Sequence, residues 1–283
     1  MTKTFLKVIL TLTFTLLLLA GCPAPAEHKT VTIKGSDTLL QVGQRWAEVY
    51  MKAHPEVTIQ VTGGGSGTGI AALIGGTTDI CQASRPIKDA EKADLRTKRN
   101  LETIETPVAL DALAVYVNKD NAISSLTLEQ AGKIFRGEVT DWKDVGGKPG
   151  NIVLYGRDNS SGTYVYFKEH VLENKDFSSK YQALPGTGAV VDAVARDKGG
   201  IGYGGIGYAK DIKTIPVAKD PKGMPVEPTM ANVLNGSYPI SRQLYWYTAG
   251  EPIGTVKELL DWVLSPDGQK VVSEQGFYPL KGE

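Results

Sequence analysis

The segment 157–163 contains the side chains of this chain that are best suited to chemistry. It holds Arg157, two serines, Gly162 and Thr163, after an apolar run typical of a strand and before a run typical of a helix. A helix start offers unpaired backbone N–H groups at the positive end of its dipole, and short hydroxyls add further donors. The glycine lets a ligand approach the backbone, and the guanidinium suits carboxylate or phosphate. The segment predicts a pocket for a small anion, with an ordinary serine cap beside a surface arginine as the alternative.

Two earlier segments repeat the order of strand, polar turn and helix. The first has a strand over 31–33 and a helix over 39–54; the second has a strand over 57–61 and a helix that begins at Ile70. Alternating strands and helices predict an α/β fold with a mostly parallel sheet. In such sheets ligands bind at the carboxyl ends of the strands, where these polar turns lie.

Two long apolar strands are predicted over 107–117 and 239–247, and each follows a polar stretch. Strands of this kind can cross between two lobes. Apolar residues at helical spacing predict a helix over 253–264, and a last helix is predicted from Pro266 to about Gly276.

The first residues predict an export signal rather than part of the folded body. Lys3 and Lys7 precede an apolar run over 8–19, which is too short for a confident membrane span. The run ends in Leu-Ala-Gly-Cys at Cys22, which resembles the bacterial lipobox. We therefore expect a signal peptide over 1–21, a lipidated Cys22 and a tether over 22–29, with a plain signal peptide as the alternative. The protein would then be exported and held by its lipid at a membrane face, towards the periplasm or the cell exterior.

Composition and motifs argue against several classes of protein. The formal net charge is zero and falls to about −2 without residues 1–21, so bulk charge does not favour nucleic-acid binding. The glycine-rich stretch 63–69 lacks the lysine of a phosphate-binding loop for nucleotides, and 200–207 is dense in glycine without a clear following helix. Cys81 remains alone once Cys22 is lipidated, so no internal disulfide is expected.

The remaining residues do not suggest an enzyme or a metal site. The three histidines lie in the tether, at a helix end and in a helix without a nearby acid or thiol. We therefore predict no metal, no cofactor and no nucleophile–base pair.

Taken together, the motifs resemble those of the substrate-binding lipoproteins of the ABC-type phosphate importer, over nearly the whole chain after residue 21. The most specific piece is the Arg-x-x-x-Ser-Gly-Thr pattern of 157–163. Residues 135–142 are similar to a surface hairpin region of that family. Other similar segments are 35–38, 65–67, 83–87, 186–208 and 263–269.

The resemblance implies an α/β, two-lobed periplasmic-binding fold of type II, in which each lobe is a mixed, mostly parallel sheet flanked by helices. It implies a first lobe over 30–108 and 243–283 and a second over 109–242. It also implies a monomer that captures inorganic phosphate between the lobes, changes no bond, and delivers it to the permease subunits of an ABC transporter.

The same resemblance names the ligand site. Phosphate would be held by hydroxyls, backbone N–H groups and one arginine. The residues carried over by motif are Ser36, Asp37, Thr38, Leu39, Ser66, Ser84, Arg85, Arg157, Ser161, Gly162 and Thr163.

One position departs from the family pattern. Where the best-studied members have an aspartate that accepts the proton of hydrogen phosphate and so rejects sulfate, this chain has Arg85. Either Arg85 is a second cationic ligand, or it points to solvent and another acid, with Asp37 as the candidate, reads the proton. A receptor for another oxyanion such as sulfate, and an exported phosphoryl hydrolase, are the alternative functions.

Overall fold

The computed structural model describes residues 29–280. The predicted signal peptide, Cys22 and most of the tether lie outside the described residues. Among the helices of residues 29–280, none has the length and apolar character needed to cross a membrane.

Strands and helices alternate along most of the chain. The strands are β1 (Lys29–Gly35), β2 (Val57–Thr62), β3 (Ile80–Ala83), β4 (Thr103–Val117), β5 (Leu126–Thr127), β6 (Val153–Gly156), β7 (Gln182–Ala183), β8 (Gly200–Gly205), β9 (Lys213–Ile215), β10 (Val217–Ala218) and β11 (Ser241–Ala249). The helices are α1 (Leu40–Ala53), α2 (Ser66–Gly75), α3 (Asp89–Arg99), α4 (Leu128–Arg136), α5 (Gly162–His170), α6 (Gly186–Arg196), α7 (Met230–Leu234), α8 (Gly254–Leu264) and α9 (Pro266–Glu274). Single 3₁₀ turns lie at Trp142–Val145 and Ile206–Tyr208.

The sheet is mixed and runs in the order β2-β1-β3-β11-β4-β8-β6-β7. Its outer strands are parallel, since β1 pairs with β2 and β3, and β6 pairs with β7 and β8, in parallel register. These are the strands that helices connect, as the alternating pattern predicts. The central strands β11 and β4 are antiparallel to their neighbours.

Strand β4 passes from one lobe to the other. Its residues 103–112 pair with β11, whereas 113–117 pair with β8 and, further along, with β9. We call the part around β1, β2, β3, β11 and the start of β4 the first lobe, and the part around the end of β4 and β5–β10 the second lobe. The predicted apolar strands are both present, and β4 begins four residues earlier than predicted. Pro107 is accommodated there because the register with β11 shifts between Leu244 and Tyr245.

Aromatic side chains fill the core of each lobe. In the first, Trp46 and Trp246 are fully buried with ring centroids 5.2 Å apart, and Trp46 Nε1 donates to the carbonyl of Gly268 at 2.7 Å. In the second, the Phe167 ring stacks on Tyr203 with centroids 3.9 Å apart. Burial of these rings supplies much of the apolar stabilisation of each lobe.

The start of helix α2 differs from the prediction. The helix begins at Ser66 rather than at Ile70, because the glycines of this stretch serve close packing as well as turning. Gly64 and Gly65 have φ 109° and 95°, which only glycine adopts readily, and they complete the turn from β2 into α2. A Cβ at Gly69 would lie 2.6 Å from Gly35 Cα, so only glycine lets the helix pack this closely on β1.

Residues 135–142 also differ from the prediction of a surface hairpin. They form the end of α4, a left-handed turn at Gly137 and the start of the 3₁₀ turn at Trp142. Phe135 and Trp142 are both buried. The segment therefore contributes to the core of the second lobe.

Candidate functional site

The N-termini of three helices meet at a cluster of buried hydroxyls. Thr38 precedes α1, Ser66 opens α2 and Thr163 lies in the first turn of α5, while Ser36 and Ser84 follow β1 and β3. All five side chains are at most 2% exposed. We call these residues the hydroxyl cluster. Because the first N–H groups of a helix have no partner within it, three helix starts at one place favour an anion.

Short distances join the hydroxyl cluster across the two lobes. Thr38 Oγ1 lies 2.9 Å from Thr163 Oγ1, and Ser36 Oγ donates to Ser84 Oγ at 2.9 Å. Ser84 Oγ also lies 3.4 Å from both Ser66 Oγ and Thr163 Oγ1. The polar turns of the three predicted strand–turn–helix units therefore meet in space.

Backbone N–H groups use acceptor positions of these hydroxyls. Ser36 Oγ accepts from the N–H of Thr38 at 3.2 Å, and Ser66 Oγ accepts from the N–H of Ser84 at 3.0 Å. Ser161, which caps α5, likewise accepts from an N–H of its helix. Ser66 and Ser161, whose lone pairs are occupied in this way, still have their protons to donate, whereas the Ser36 proton goes to Ser84. The arrangement thus presents donors, which suits an anion rich in acceptor oxygens.

Arg157 brings a cation to this site. Its side chain is 3% exposed, and Nη2 lies 2.6 Å from Asp37 Oδ2. Nε donates to the carbonyl of Leu184 at 3.2 Å, and Nη1 lies 3.4 Å from Thr187 Oγ1. The guanidinium is therefore fixed on three sides before it meets a ligand.

Asp37 joins the lobes through both its side chain and its carbonyl. Oδ1 accepts from the N–H of Gly64 at 3.0 Å while Oδ2 accepts from Arg157, and the Tyr208 hydroxyl donates to the Asp37 carbonyl at 2.6 Å. A carboxylate oxygen has two acceptor positions, so each oxygen retains capacity for one more donor. Asp37 is thus an acceptor placed beside a set of donors.

The Arg85 side chain does not join the hydroxyl cluster. It is buried and pairs with Glu91 in the first turn of α3, with Nη1–Oε2 and Nη2–Oε1 distances of 2.8 and 2.7 Å. Nη1 also donates to the carbonyl of Pro86 at 2.9 Å. Both predictions for this residue therefore need correction: the guanidinium neither points to solvent nor faces the cluster, because a bidentate carboxylate takes it.

The other predicted site residues lie around the cluster. The Leu39 side chain is fully buried, and its N–H donates to the Ser36 carbonyl at 3.2 Å. A Cβ at Gly162 would overlap Ser66 Oγ and lie 2.8 Å from Ser84 Oγ. The start of α5 can therefore reach the first lobe only with glycine at this position.

Sequence reasoning missed two residues, Arg242 and Asp111. Arg242 Nε and Nη2 donate to Asp111 Oδ2 at 2.9 and 2.8 Å, and Nη2 lies 3.1 Å from Thr163 Oγ1. Burial raises the pKa of Asp111, while Arg242 and the N–H of Ile206 act in the opposite direction. A signal was present: each is a lone charge within an apolar strand, and a buried charge needs a partner.

Backbone atoms also hold the lobes together at this site. The N–H of Gly67 donates to the Ser160 carbonyl at 2.9 Å, and the Ser160 hydroxyl shares its one proton between Asp158 Oδ1 at 2.5 Å and the Gly64 carbonyl at 3.2 Å. We call the two hydrogen bonds that join Ser160 to Gly67 and Gly64 the interlobe contact. They place the start of α5 against the start of α2.

The described part of the chain offers neither a group of metal ligands nor an accessible thiol. Across residues 29–280, no group of three or more histidine, cysteine, aspartate or glutamate side chains is placed to hold a metal ion. Cys81 is buried in β3, and burial raises the pKa of its thiol, which keeps it protonated and unreactive.

Comparison with known proteins gives one consistent family. Residues 22–267 match the model of the PBP superfamily domain. The phosphate-binding protein PstS of Pseudomonas aeruginosa is 40% identical over an alignment of 265 residues, which covers 87% of this chain and 81% of that protein. The phosphate-binding protein PstS of Bacillus subtilis is 32% identical over 261 residues, or 91% of this chain and 84% of that protein.

Solved structures are similar over the same region. A Clostridium perfringens protein whose crystal structure contains bound phosphate has a TM-score of 0.81 at 31% identity, covering 89% of this chain and all of that one (100%). The ABC-type phosphate transport receptor of Vibrio cholerae has a TM-score of 0.70 at 28% identity, covering 88% of this chain and 99% of that one.

The Arg85–Glu91 pair predicts a pH-dependent contribution to stability. Burial alone would raise the pKa of Glu91, but hydrogen bonds from Arg85 and the Lys88 N–H outweigh it, so the pKa is lowered. A carboxyl whose pKa is lower in the folded protein than in the unfolded one stabilises the fold at a pH above its unfolded pKa of about 4.3. That stabilisation is lost as the pH falls through the folded-state pKa. We expect Glu91→Gln to lower the free energy of unfolding by about 2 kcal/mol near neutral pH, and by progressively less below about pH 4.

Urea unfolding followed by circular dichroism at several pH values measures this difference. Glu102→Gln is the matched control, because Glu102 makes a similar pair with Arg96 on the exposed surface. Its effect should be smaller, since exposed pairs are screened by solvent. A Glu91→Gln effect that does not change with pH would contradict the assignment of Arg85 to this pair.

Proposed function

We propose that this chain, which belongs to the PBP superfamily and within it to the phosphate-binding proteins, captures inorganic phosphate between its lobes. It then delivers the phosphate to an ABC importer. The observation that carries the proposal is the meeting of three helix starts, the hydroxyl cluster and Arg157 at one buried place. Phosphate offers four oxygens to such donors, and its negative charge suits the guanidinium.

Each part of the site has a distinct role in this proposal. The hydroxyls of Thr38, Ser66, Ser161 and Thr163 donate to the phosphate oxygens, together with the N–H of Gly162 at the start of α5. The N–H of Leu39 joins them only when it leaves the Ser36 carbonyl. Arg157 supplies a charge-assisted pair. Ser36 and Ser84 hold the other hydroxyls in place through their own hydrogen bonds. Arg85 belongs to the fold of the first lobe rather than to the ligand.

Asp37 is the residue that would read the ligand's proton. Its carboxylate oxygens each keep an acceptor position, so hydrogen phosphate can donate its proton there. Sulfate has no proton at neutral pH, so one of its oxygens, which can only accept, would face the Asp37 carboxylate, which also only accepts. Leaving two buried acceptors face to face costs about 1–3 kcal/mol or more.

Capture requires the lobes to open and close. We propose that they move about the chain crossings, with the first lobe over 30–108 and 243–283 and the second over 109–242. Ligand binding favours the closed form, because only then do the donors of both lobes reach one anion. The permease subunits of the importer would recognise the closed form of a monomer, and the chemistry involves no change of covalent bonds.

We also propose that the protein is a lipoprotein. The lipobox-like sequence at Cys22 supports lipidation of that cysteine, which would hold the protein at the outer face of the cell membrane. This location places the receptor beside a permease and outside the cytoplasm.

Arg157→Ala is expected to weaken phosphate binding at least about 100-fold, because it removes the charge-assisted pair and leaves Asp37 without its partner. Isothermal calorimetry on the full chain in detergent measures the dissociation constant. Arg45→Ala is the matched control, since Arg45 is exposed on α1 and pairs with Glu48 in the same helix. Unchanged affinity in Arg157→Ala would disprove the site, and no heat from the wild-type protein would disprove the function.

Asp37→Asn is expected to reduce the discrimination between phosphate and sulfate. The amide can donate to a sulfate oxygen, whereas the carboxylate only accepts. Competition calorimetry from about pH 5 to about pH 8.5 measures the ratio of the two dissociation constants. The exposed Asp144 gives the control Asp144→Asn. An unchanged ratio in Asp37→Asn would show that another group reads the proton.

Cys22→Ser is expected to move the protein from the membrane fraction to the soluble fraction, because the lipid can no longer be attached. Cell fractionation and mass spectrometry of the N-terminal peptide measure the change. Cys81→Ser is the control, since Cys81 is buried in the folded body. A wild-type protein that is soluble and carries an unmodified Cys22 would contradict the lipid anchor.

A further inference from the structure

We propose that Arg242 is a positioning residue for phosphate: it fixes the Thr163 hydroxyl as a donor towards the ligand, and Asp111 fixes Arg242. This inference rests on the proposed function. Arg242 and Asp111 lie on β11 and β4, where the chain passes between the lobes. Neither residue belongs to a polar turn at a helix start.

The pair lies where the two long strands run side by side. Arg242 and Asp111 are direct partners in the antiparallel register of β11 and β4. Their side chains are 2% and 0% exposed. A buried ion pair of this kind gives little net stability compared with apolar residues, but removal of one partner is costly. Its presence at this point therefore calls for a role beyond stability.

The guanidinium uses the rest of its donors to reach both lobes. Nη1 donates to the Ser84 carbonyl at 3.0 Å in the first lobe, and Nη2 donates to Thr163 Oγ1 at 3.1 Å in the second. Nε and Nη2 meanwhile hold Asp111, which also accepts from the N–H of Ile206 at 3.0 Å. One planar group thus sets the relative position of two members of the hydroxyl cluster.

The contact with Thr163 determines the direction of its hydroxyl proton. Arginine can only donate, so Thr163 Oγ1 must accept from Nη2. The Thr163 proton therefore points away from Arg242, towards Thr38 Oγ1 and Ser84 Oγ, which lie 2.9 and 3.4 Å from Thr163 Oγ1. A phosphate oxygen at this side of Thr163 would receive the proton. Since Asp111 balances the charge of Arg242, the effect on the ligand is one of orientation more than of added charge.

Helix α5 also contacts the Arg242 guanidinium through Tyr166. The Arg242 Cζ lies 5.5 Å from the centre of the Tyr166 ring, and the Tyr166 hydroxyl donates to the Ser241 carbonyl at 2.7 Å. Tyr166 and Thr163 are three residues apart on α5 and so share one face of the helix. The same helix that presents Thr163 to the ligand therefore also keeps Arg242 in register with it.

A double-mutant cycle on phosphate affinity tests the inference. Arg242→Lys keeps a cation beside Asp111, but its single nitrogen cannot serve Asp111, Ser84 and Thr163 together. We expect Arg242→Lys and Thr163→Val each to weaken phosphate binding about tenfold in calorimetry on the full chain. The double variant should bind phosphate no more weakly than whichever single variant has the lower affinity, because both changes remove the same oriented proton.

Two further variants separate positioning from general support of the fold. In a Thr163→Ser background, which keeps the hydroxyl, Arg242→Lys should again weaken binding about tenfold. Arg96→Lys is the matched control, because Arg96 holds Glu102 with two nitrogens on the surface, and it should leave affinity unchanged. If circular dichroism shows Arg242→Lys to be unfolded, Tyr166→Leu replaces it in the cycle, since it loosens the guanidinium without removing the charge pair.

The outcomes are distinguishable. Losses that add in the double variant, or an Arg242→Lys variant with wild-type affinity, would overturn the role of Arg242 while leaving the phosphate site intact. No phosphate binding by the wild-type chain would instead overturn the proposed function. Non-additive losses in the Thr163→Val cycle, together with the full Arg242→Lys loss in the Thr163→Ser background, would establish Arg242 as the residue that orients this donor.

Discussion

A charge that is removed from water must be paired, and the pairing of Arg242 with Asp111 sets the geometry on which the rest of the structure depends. The two side chains face each other on β11 and β4, the strands that link the lobes. Any slip of one strand against the other would separate them and leave two buried charges unpaired, which is far more costly than the loss of an apolar contact. The register of the chain crossing is therefore strongly specified, and with it the approach of α5 to the first lobe.

The hydroxyl cluster follows from that geometry. Its members follow four different strands, yet their oxygens lie within hydrogen-bond distance because the strand ends are aligned at one edge of the sheet. N–H donors occupy lone pairs of several of these oxygens, so the cluster presents protons rather than lone pairs. The two arginines are each balanced by an aspartate, Arg157 by Asp37 and Arg242 by Asp111. The site is thus polar and directional without a large excess of charge, and orientation of donors carries the recognition of the anion.

Much of this arrangement could be predicted from the sequence. The strand–turn–helix pattern around 157–163 and its two earlier counterparts identified the turns that meet at the cluster, because helix caps and apolar periodicity are local features. The glycines of 63–69 were harder to interpret, since their purpose is the close approach of α2 to β1 and to Ser160, which is visible only in three dimensions. Arg85 was misplaced for a similar reason. Its partner Glu91 lies six residues away on a helix whose packing the sequence does not specify. Arg242 and Asp111 were missed, because nothing local indicates that these two charges within apolar strands face each other.

The interlobe contact has a consequence for how affinity can change over time. It depends on main-chain atoms of Gly64, Gly67 and Ser160 and on the Ser160 hydroxyl, so its requirement in the sequence is chiefly glycine at 64 and 67 and serine at 160. A methyl group at Gly67 would lie 3.2 Å from the Ser160 carbonyl, where it acts as a small wedge between the lobes. Such a wedge lowers the fraction of molecules that are closed, and apparent affinity falls in proportion to that fraction. None of the ligand's own partners changes, so selectivity is retained. Substitution of the small residues at this boundary therefore changes the affinity for phosphate in small steps, to suit scarce or abundant nutrient. The residues that recognise phosphate stay the same.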